Sequence, residues 1–178
     1  VRAARRHYEL AAKVEETSGE AFLRLACLAR AEEKQAEAKK FLSLSAARDE
    51  TKGKALLERA ELLLEQDKIK AAGEDLLVSL EAFEENERQF RETSNVAAEN
   101  SNFARARHLL EKADEARRSK APVLWLLAKI KTDAGEKEEA VRFLDKAVAT
   151  SPAFAPARYE LAVLLDKMGR GEEAVSQY

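Results

Sequence analysis

Residues 121–154 read APVLWLLAKIKTDAGEKEEAVRFLDKAVATSPAF, and the residues after them repeat this pattern at a spacing of 34. Gly135 is matched by Gly169, and Ala140 by Ala174, at this spacing. Internal repetition with a period of about 20–50 residues is typical of solenoids, propellers and other arrays. The chain is therefore predicted to be an array of short, similar units.

The same spacing continues back to the start of the chain without an insertion or a deletion. The position of Ala140 is alanine in every repeat: Ala4, Ala38, Ala72, Ala106, Ala140 and Ala174. The position of Leu144 is large in every repeat: Tyr8, Leu42, Leu76, Leu110, Leu144 and Tyr178. Small residues allow two helices to approach closely, and large residues fill the space against the next repeat. The pattern thus predicts closely packed helices in each repeat.

The composition favours the same fold class. The 178 residues include 46% hydrophobic and 36% charged residues but only six glycines and three prolines, as in all-α proteins. The net charge of −2 argues against nucleic-acid binding, because neutralising phosphates needs a basic excess. The single cysteine excludes an internal disulfide and a cysteine-rich zinc site. No apolar run is long enough to span a membrane.

The segment 121–154 resembles one unit of the tetratricopeptide repeat (TPR) family. Leu124, Leu127 and Ala128 occupy the large, leucine and small positions of that family, Gly135 its turn, and Pro152 its end. The resemblance implies an all-α fold, a right-handed α-solenoid of antiparallel helix pairs with a 34-residue period, which is the TPR superhelix.

The repeat phase predicts a single TPR array over residues 1–178. Its expected parts are the second half of a repeat (1–18), four complete repeats (19–52, 53–86, 87–120 and 121–154) and a truncated repeat (155–178). Neither end has a polar capping helix, so we expect the chain to be a fragment of a longer array.

Helices are expected in alternation along each repeat. First helices are predicted near 20–32, 54–66, 88–100, 122–134 and 156–168, and second helices near 3–16, 36–50, 70–84, 104–118, 138–150 and from 171 onward. Gly19 and Gly53 are expected just before first helices, and Pro122 in the first turn of one. Pro152 has no proline counterpart in the earlier repeats, which predicts longer helices with shorter turns there.

No arrangement of residues indicates catalysis. His7 and His108 are about three repeats apart, and neither neighbours the cysteine. Cys27 lies one helical turn from Arg24 and from Arg30, which could lower the pKa of its thiol, but it is interpreted as a buried or groove-lining residue. We therefore expect no enzyme activity, no catalytic residue, no metal and no cofactor.

The resemblance implies that the first helices line a concave groove. The residues that it assigns to this groove are Leu23, Cys27, Arg30, Leu57, Glu61, Leu64, Arg91, Asn95, Trp125, Lys129, Thr132, Tyr159, Val163 and Asp166. Tryptophan and tyrosine are frequent at binding hot spots. Trp125 and Tyr159 therefore either bind a partner or only pack between neighbouring first helices. Arg91 and Asn95 match only part of the basic clamp with which some TPR domains hold acidic C-terminal tails, so no such binding is expected.

The leading hypothesis is a protein–protein interaction scaffold that presents its groove to a peptide or partner protein, within a larger protein of bacterial envelope or secretion type. The alternatives are an accessory or substrate-recruiting arm of an enzyme whose catalytic domain lies elsewhere, and a self-association module. Nucleic-acid binding and membrane insertion are not expected. The sequence predicts a soluble segment, cytoplasmic or periplasmic, and does not identify the partner.

Overall fold

A computed structural model of the chain describes residues 2–14 and 18–177. These residues form nine α-helices: α1 (Arg2–Ala11), α2 (Ser18–Ala31), α3 (Gln35–Ala46), α4 (Asp49–Glu65), α5 (Ile69–Glu99), α6 (Phe103–Asp133), α7 (Lys137–Thr150), α8 (Ala155–Lys167) and α9 (Gly171–Val175). The predicted all-α repeat fold is confirmed. The end of the predicted helix 3–16 and the large position at Tyr178 lie outside the described residues. The chain divides into two compact units, Val1–Ala82 and Phe83–Tyr178, and the division falls inside α5.

The core of the first unit is built from α2, α3 and α4. Leu42 of α3 is fully buried, and it clusters with Ala55 and Leu62 of α4. Ala26 of α2 and Ala38 of α3 are fully buried in the same cluster. Alanine at these positions lets the helices approach closely, so that the larger leucines fill the remaining space.

Two buried serines join second helices to first helices in this unit. The Ser45 hydroxyl donates to the Gly19 carbonyl at 2.8 Å, and the Ser79 hydroxyl donates to the Gly53 carbonyl at 2.7 Å. Because Ser45 and Ser79 are 34 residues apart, the same hydrogen bond recurs in successive repeats. A Cβ atom on Gly19 would lie 2.5 Å from the Thr51 Oγ1 atom, so only glycine fits there.

A residue with positive φ follows the first helix of each helix pair. These residues are 34 positions apart, and they are Glu33 (59°), Asp67 (57°), Ser101 (59°), Gly135 (82°) and Gly169 (76°). At each turn the next backbone N–H donates to the carbonyl five residues earlier, at 2.8–2.9 Å. Glycine adopts this conformation without steric cost. The turn geometry therefore follows the 34-residue period even where the sequence has no glycine.

In the second unit, α6 and α7 form an antiparallel pair, and α8 and α9 follow them along the chain. Ala128 of α6 and Ala140 of α7 are both fully buried, as expected for the small positions of one helix pair. The loop after α7 begins at Ser151–Pro152, where the sequence predicts a break. Arg158 takes a position that is usually apolar, and its Nη2 atom donates to the Pro152 carbonyl at 2.9 Å.

Two of the expected breaks between helices are wrong. The predicted helices 70–84 and 88–100 form the single helix α5, and the predicted helices 104–118 and 122–134 form the single helix α6. Glu84 and Arg118 stand where Pro152 ends a later helix, and both are good helix formers. The expectation of longer helices is thus met at Glu84 and Arg118 only, because α3 ends at Ala46, before the predicted end at residue 50, and α4 begins separately at Asp49.

Three single-residue placements also differ from the expectation. Pro122 lies inside α6 instead of in the first turn of a helix. Since proline has no N–H, the Arg118 carbonyl lacks its helical partner. Gly19 and Gly53 lie inside α2 and α4 instead of before them. The carboxylates of Asp49 and Glu50 occupy the first turn of α4 and favour its earlier start.

Candidate interaction surface

In the first unit, the predicted groove residues of α2 and α4 meet at the surface. The Arg30 Nη1 atom lies 3.3 Å from the Glu61 Oε2 atom, and the Arg30 Nη2 atom lies 3.1 Å from the Glu65 Oε1 atom. Arg30 is half-buried, while Glu61 and Glu65 are more exposed. The two helices therefore present a shared polar face that carries more carboxylates than cations.

Cys27 lies on the same face, beside a carboxylate that the sequence analysis did not select. The Cys27 Sγ atom is 3.7 and 3.9 Å from the two carboxylate oxygens of Glu58. Partial burial and the Glu58 charge raise the pKa of the exposed Cys27 thiol, and they outweigh Arg24 and Arg30. Arg24 and Arg30 lower the pKa of Cys27, as the sequence suggested, but the net shift is upward, so thiolate chemistry is disfavoured.

The three leucines among the predicted groove residues of the first unit are buried or half-buried. Leu23 is buried in the core cluster with Ala26 and Leu42, so its side chain supports the fold. Leu57 and Leu64 of α4 are half-buried. At the predicted groove face of the first unit, half-buried leucines therefore accompany the polar side chains of Cys27, Arg30 and Glu61.

Arg91 and Asn95 are exposed on the part of α5 that belongs to the second unit. Arg91 pairs with Glu87 at 3.2 Å and with Asp114 at 3.6 Å. The Lys120 Nζ atom also lies 2.8 Å from Glu87. Burial raises the pKa of Glu87, but the contacts with Lys120 and Arg91 outweigh it and hold that pKa below its usual range. Arg91 therefore takes part in an ion-pair network between α5 and α6.

Trp125 is the centre of a compact cluster between α6 and α8. Its ring meets Phe154 edge to face, with 6.0 Å between the ring centroids, and the Lys129 Nζ atom lies 4.8 Å from the ring centroid. The buried Trp125 Nε1 atom lies beside the Glu160 carboxylate, but among the described residues it has no partner in hydrogen-bond geometry. Burial raises the pKa of Glu160, although Lys129 opposes this effect.

The remaining predicted groove residues of the second unit lie on α6 and α8. Thr132 is exposed, and its hydroxyl donates to the Ala128 carbonyl at 2.9 Å. Tyr159 is 64% exposed, Val163 is half-buried, and Asp166 is exposed. Trp125 is therefore largely engaged within the chain, whereas most of the Tyr159 side chain is available to solvent.

Glu58 and Glu160 are the residues that sequence reasoning missed at these two faces. They occupy the same position of the repeat, directly after Leu57 and Tyr159 in the chain. Burial raises the pKa of both carboxyls, so each is partly withdrawn from water. The signal was a glutamate that recurs at a multiple of 34 residues next to a predicted groove position.

Within residues 2–14 and 18–177, no group of three or more His, Cys, Asp or Glu side chains is arranged to hold a metal ion. No helix in this part of the chain has the length and apolar character needed to cross a bilayer.

Comparison with known proteins matches part of the chain to a repeat family. Residues 97–153 match the family model described as tetratricopeptide repeat. No curated protein sequence matches the chain. Among solved structures, the crystal structure of MamA aligns with a TM-score of 0.59 and 17% identity, over 97% of this chain and 81% of MamA. This likeness supports a shared fold.

Two further structures align less well. BtubC from P. vanneervenii has a TM-score of 0.46 and 15% identity, over 99% of this chain and 85% of BtubC. YrrB, described as a TPR protein with an unusual peptide-binding site, has a TM-score of 0.40 and 17% identity, over 96% of this chain and 88% of YrrB.

Proposed function

We propose that the chain is a tetratricopeptide repeat protein, on the match over residues 97–153, and that it is a protein–protein interaction scaffold. Its binding surface is formed by the first helices of neighbouring repeats, and its partner is a peptide or a segment of another protein. The observation that carries this proposal is the meeting of α2 and α4 side chains around Arg30, because a binding face needs adjacent helices to share one surface.

The first unit favours a basic partner segment. Glu58, Glu61 and Glu65 lie near the guanidinium groups of Arg30 and Arg24. Because Arg24 is also paired with Glu20, the carboxylates outnumber the guanidinium groups and the face keeps a net negative charge. Complementary charge speeds association and selects among partners, and its effect weakens with salt. Binding at this face is therefore expected to weaken as the ionic strength rises.

The second unit contributes Tyr159 as its anchor. The Tyr159 side chain is 64% exposed, whereas Trp125 packs against Phe154 and below Lys129. An exposed tyrosine supplies a large contact area at low entropic cost. In this proposal Trp125 positions the surface around Tyr159, and Tyr159 makes the contact with the partner.

A photocross-linking experiment tests this assignment. A photoreactive phenylalanine analogue replaces Tyr159 in one variant and Leu44, exposed on the second helix α3, in a matched control. Illumination in an extract of the source cells is expected to cross-link a protein to position 159 and not to position 44. Mass spectrometry then identifies the cross-linked segment, which is synthesised as a peptide.

Affinity measurements with that peptide complete the test. Tyr159→Ala is expected to weaken binding by about tenfold or more, as for a hot-spot residue, and Leu44→Ala is expected to leave it unchanged. Equal affinity of the wild type and Tyr159→Ala, or equal cross-linking at both positions, would contradict the proposal.

The proposal also includes the cellular location of the chain and the kind of protein to which it belongs. A place within a bacterial envelope or secretion protein is supported only by the alanine-, arginine- and glutamate-rich style of the sequence. Fractionation of the source cells tests it, because recovery of the protein in the cytoplasmic fraction alone would contradict an envelope role. The accessory role in an enzyme predicts activity that depends on this chain in its parent protein.

A further inference from the structure

The cluster around Trp125 already holds a positively charged group of the chain itself. The Lys129 Nζ atom lies over the Trp125 ring, 4.8 Å from its centroid, while Phe154 packs against the ring in an edge-to-face contact. Lys129 is exposed and Trp125 is half-buried. The ring face below Lys129 therefore becomes accessible from solvent when the Lys129 side chain moves away.

A carboxylate lies beside this aromatic ring. Glu160 of α8 is half-buried next to the Trp125 indole, and the charged side chains that act on it are Lys129 and Asp133. Lys129 acts on Glu160 through its charge and not through a hydrogen bond. Within this group of side chains the two carboxylates outnumber the single ammonium group, so a further cation is attracted to it.

The indole N–H of Trp125 is a buried donor that lacks an aligned acceptor. Among the described residues its Nε1 atom has no partner in hydrogen-bond geometry, although the Glu160 carboxylate lies beside it. A buried donor without an acceptor costs free energy. A cation bound to Glu160 would hold this carboxyl in its ionised form, which is the stronger acceptor for the indole N–H.

Lys129 does not use the aromatic ring and the carboxylate together. Its ammonium group contacts the ring and leaves Glu160 without a hydrogen bond from a cation. A guanidinium group is planar and carries five donors in a fixed arrangement, so it can stack on an aromatic ring and donate to a carboxylate at the same time. Trp125 and Glu160 therefore fit an arginine side chain better than they fit the lysine that covers them.

We propose that the partner places an arginine side chain on the Trp125 ring, paired with Glu160, and that Lys129 occupies this place in the free chain as an internal competitor. An exposed cation–π contact is weak, so displacing the Lys129 side chain costs little. This inference rests on the proposed function, because it takes the face that carries Tyr159 as the binding surface. Tyr159 is exposed and directly precedes Glu160 on α8.

An NMR titration of the whole chain tests the proposal, because its single tryptophan gives one indole N–H resonance. The probe is a short alanine peptide, blocked at both ends, with arginine at its centre. Two control peptides carry at this position citrulline, which has the shape of arginine without its charge, or glutamate. The arginine peptide is expected to shift the Trp125 resonance saturably at millimolar concentrations, and both control peptides are expected to bind about tenfold more weakly or less.

Two variants are expected to change the affinity for the arginine peptide in opposite directions. Lys129→Gln removes the competing cation, so the peptide is expected to bind about threefold more tightly or better. Glu160→Gln keeps the shape of the side chain but removes its charge, so binding is expected to weaken by about tenfold. The matched controls are Lys146→Gln and Glu138→Gln, which make the same charge changes at exposed positions of α7 and are expected to bind like the wild type.

The gain of affinity in Lys129→Gln is the decisive result, because damage to the fold does not tighten binding. Weaker or unchanged binding of the arginine peptide by Lys129→Gln overturns the proposal. So does equal binding of the citrulline peptide, or the absence of a saturable shift with the arginine peptide. Binding of the glutamate peptide that is lost in Lys129→Gln would also overturn it, since Lys129 would then be the group that holds the partner.

This titration and the photocross-linking at Tyr159 fail independently of each other. The cross-link forms with any partner segment that reaches Tyr159, whether or not that segment carries an arginine. A cross-linked partner together with no binding of the arginine peptide therefore rejects this inference and keeps the proposed function. Binding of the arginine peptide without a cross-linked partner contradicts the proposed function instead.

Discussion

The Arg59 guanidinium on α4 and the Asp75 carboxylate on α5 form a two-pronged ion pair, with both N–O distances at 2.6 Å. Both side chains are less than a quarter exposed, and the contact raises the pKa of Arg59. The pair stands where other repeats place two apolar residues 16 positions apart, namely Leu25 with Phe41 and Leu127 with Phe143. This repeat therefore has an ion pair at the two positions where those repeats have an apolar pair.

Breaking this pair on one side is expected to destabilise the chain. Asp75→Ala leaves the Arg59 charge partly buried without its partner, which costs about 1–3 kcal/mol. The double variant Arg59→Leu, Asp75→Phe restores the apolar pair of the other repeats, and its free energy of unfolding is expected to equal or exceed that of the wild type. Urea denaturation measures both effects. A double variant less stable than Asp75→Ala would show that the ion pair is not interchangeable with an apolar pair.

Substitution by alanine is expected to have opposite effects on the free energy of unfolding at two glycines that lie within helices. Gly19→Ala places a Cβ atom 2.5 Å from the Thr51 Oγ1 atom, so the free energy of unfolding should fall. A Cβ atom added at Gly73 of α5 would have no neighbour within 4 Å outside its own turn of helix, so Gly73→Ala should raise stability by about 0.5–1 kcal/mol through helix propensity. Thermal melts of the two variants check this pair. Stabilisation by Gly19→Ala would contradict the close packing of α2 on α4.

Pro122 distinguishes a continuous α6 from two separate helices. Inside a helix, proline costs about 3 kcal/mol, part of which is offset by the stiffer unfolded chain. Pro122→Ala is therefore expected to raise the free energy of unfolding by about 1–2 kcal/mol. Pro156, in the first turn of α8, is the matched control, and Pro156→Ala should give no such gain. Equal effects of the two substitutions, measured by urea denaturation, would indicate that a helix begins at Pro122.

The single tryptophan gives a direct test of the cluster around Glu160. Burial raises the pKa of Glu160 above its ordinary value of 4.5, and the carboxylate lies beside the Trp125 indole. The fluorescence of Trp125 is therefore expected to change with pH at a midpoint above 4.5, and Glu160→Gln should abolish this step. The raised pKa also gives the direction of the pH effect on stability, because a buried carboxyl is destabilising when it is ionised. Stability attributable to Glu160 should thus rise as the pH falls through its folded-state pKa. A fluorescence step that persists in Glu160→Gln would exclude this carboxyl as its source.

The period of the chain and its all-α class could be predicted from the sequence alone. Both depend on spacing along the chain, since alanine and leucine recur every 34 residues and helix formers dominate the composition. The breaks at Gly135, Pro152 and Gly169 were also predictable, because glycine and proline act on the backbone locally. Arg59 and Arg158 could be recognised from the sequence as departures from the repeat pattern, but the groups that they contact could not be predicted.

The tertiary structure was needed wherever the outcome depends on the direction of the next helix or on a distant side chain. Glu84 and Arg118 allow either a turn or a continuous helix, and packing selects the long helices α5 and α6. The pairing of Arg59 with Asp75, the position of Glu160 beside Trp125 and the exposure of Leu110 all follow from that packing. Local spacing specifies which residues share a helix face, but it does not specify what covers that face, because the covering residues come from elsewhere in the folded chain.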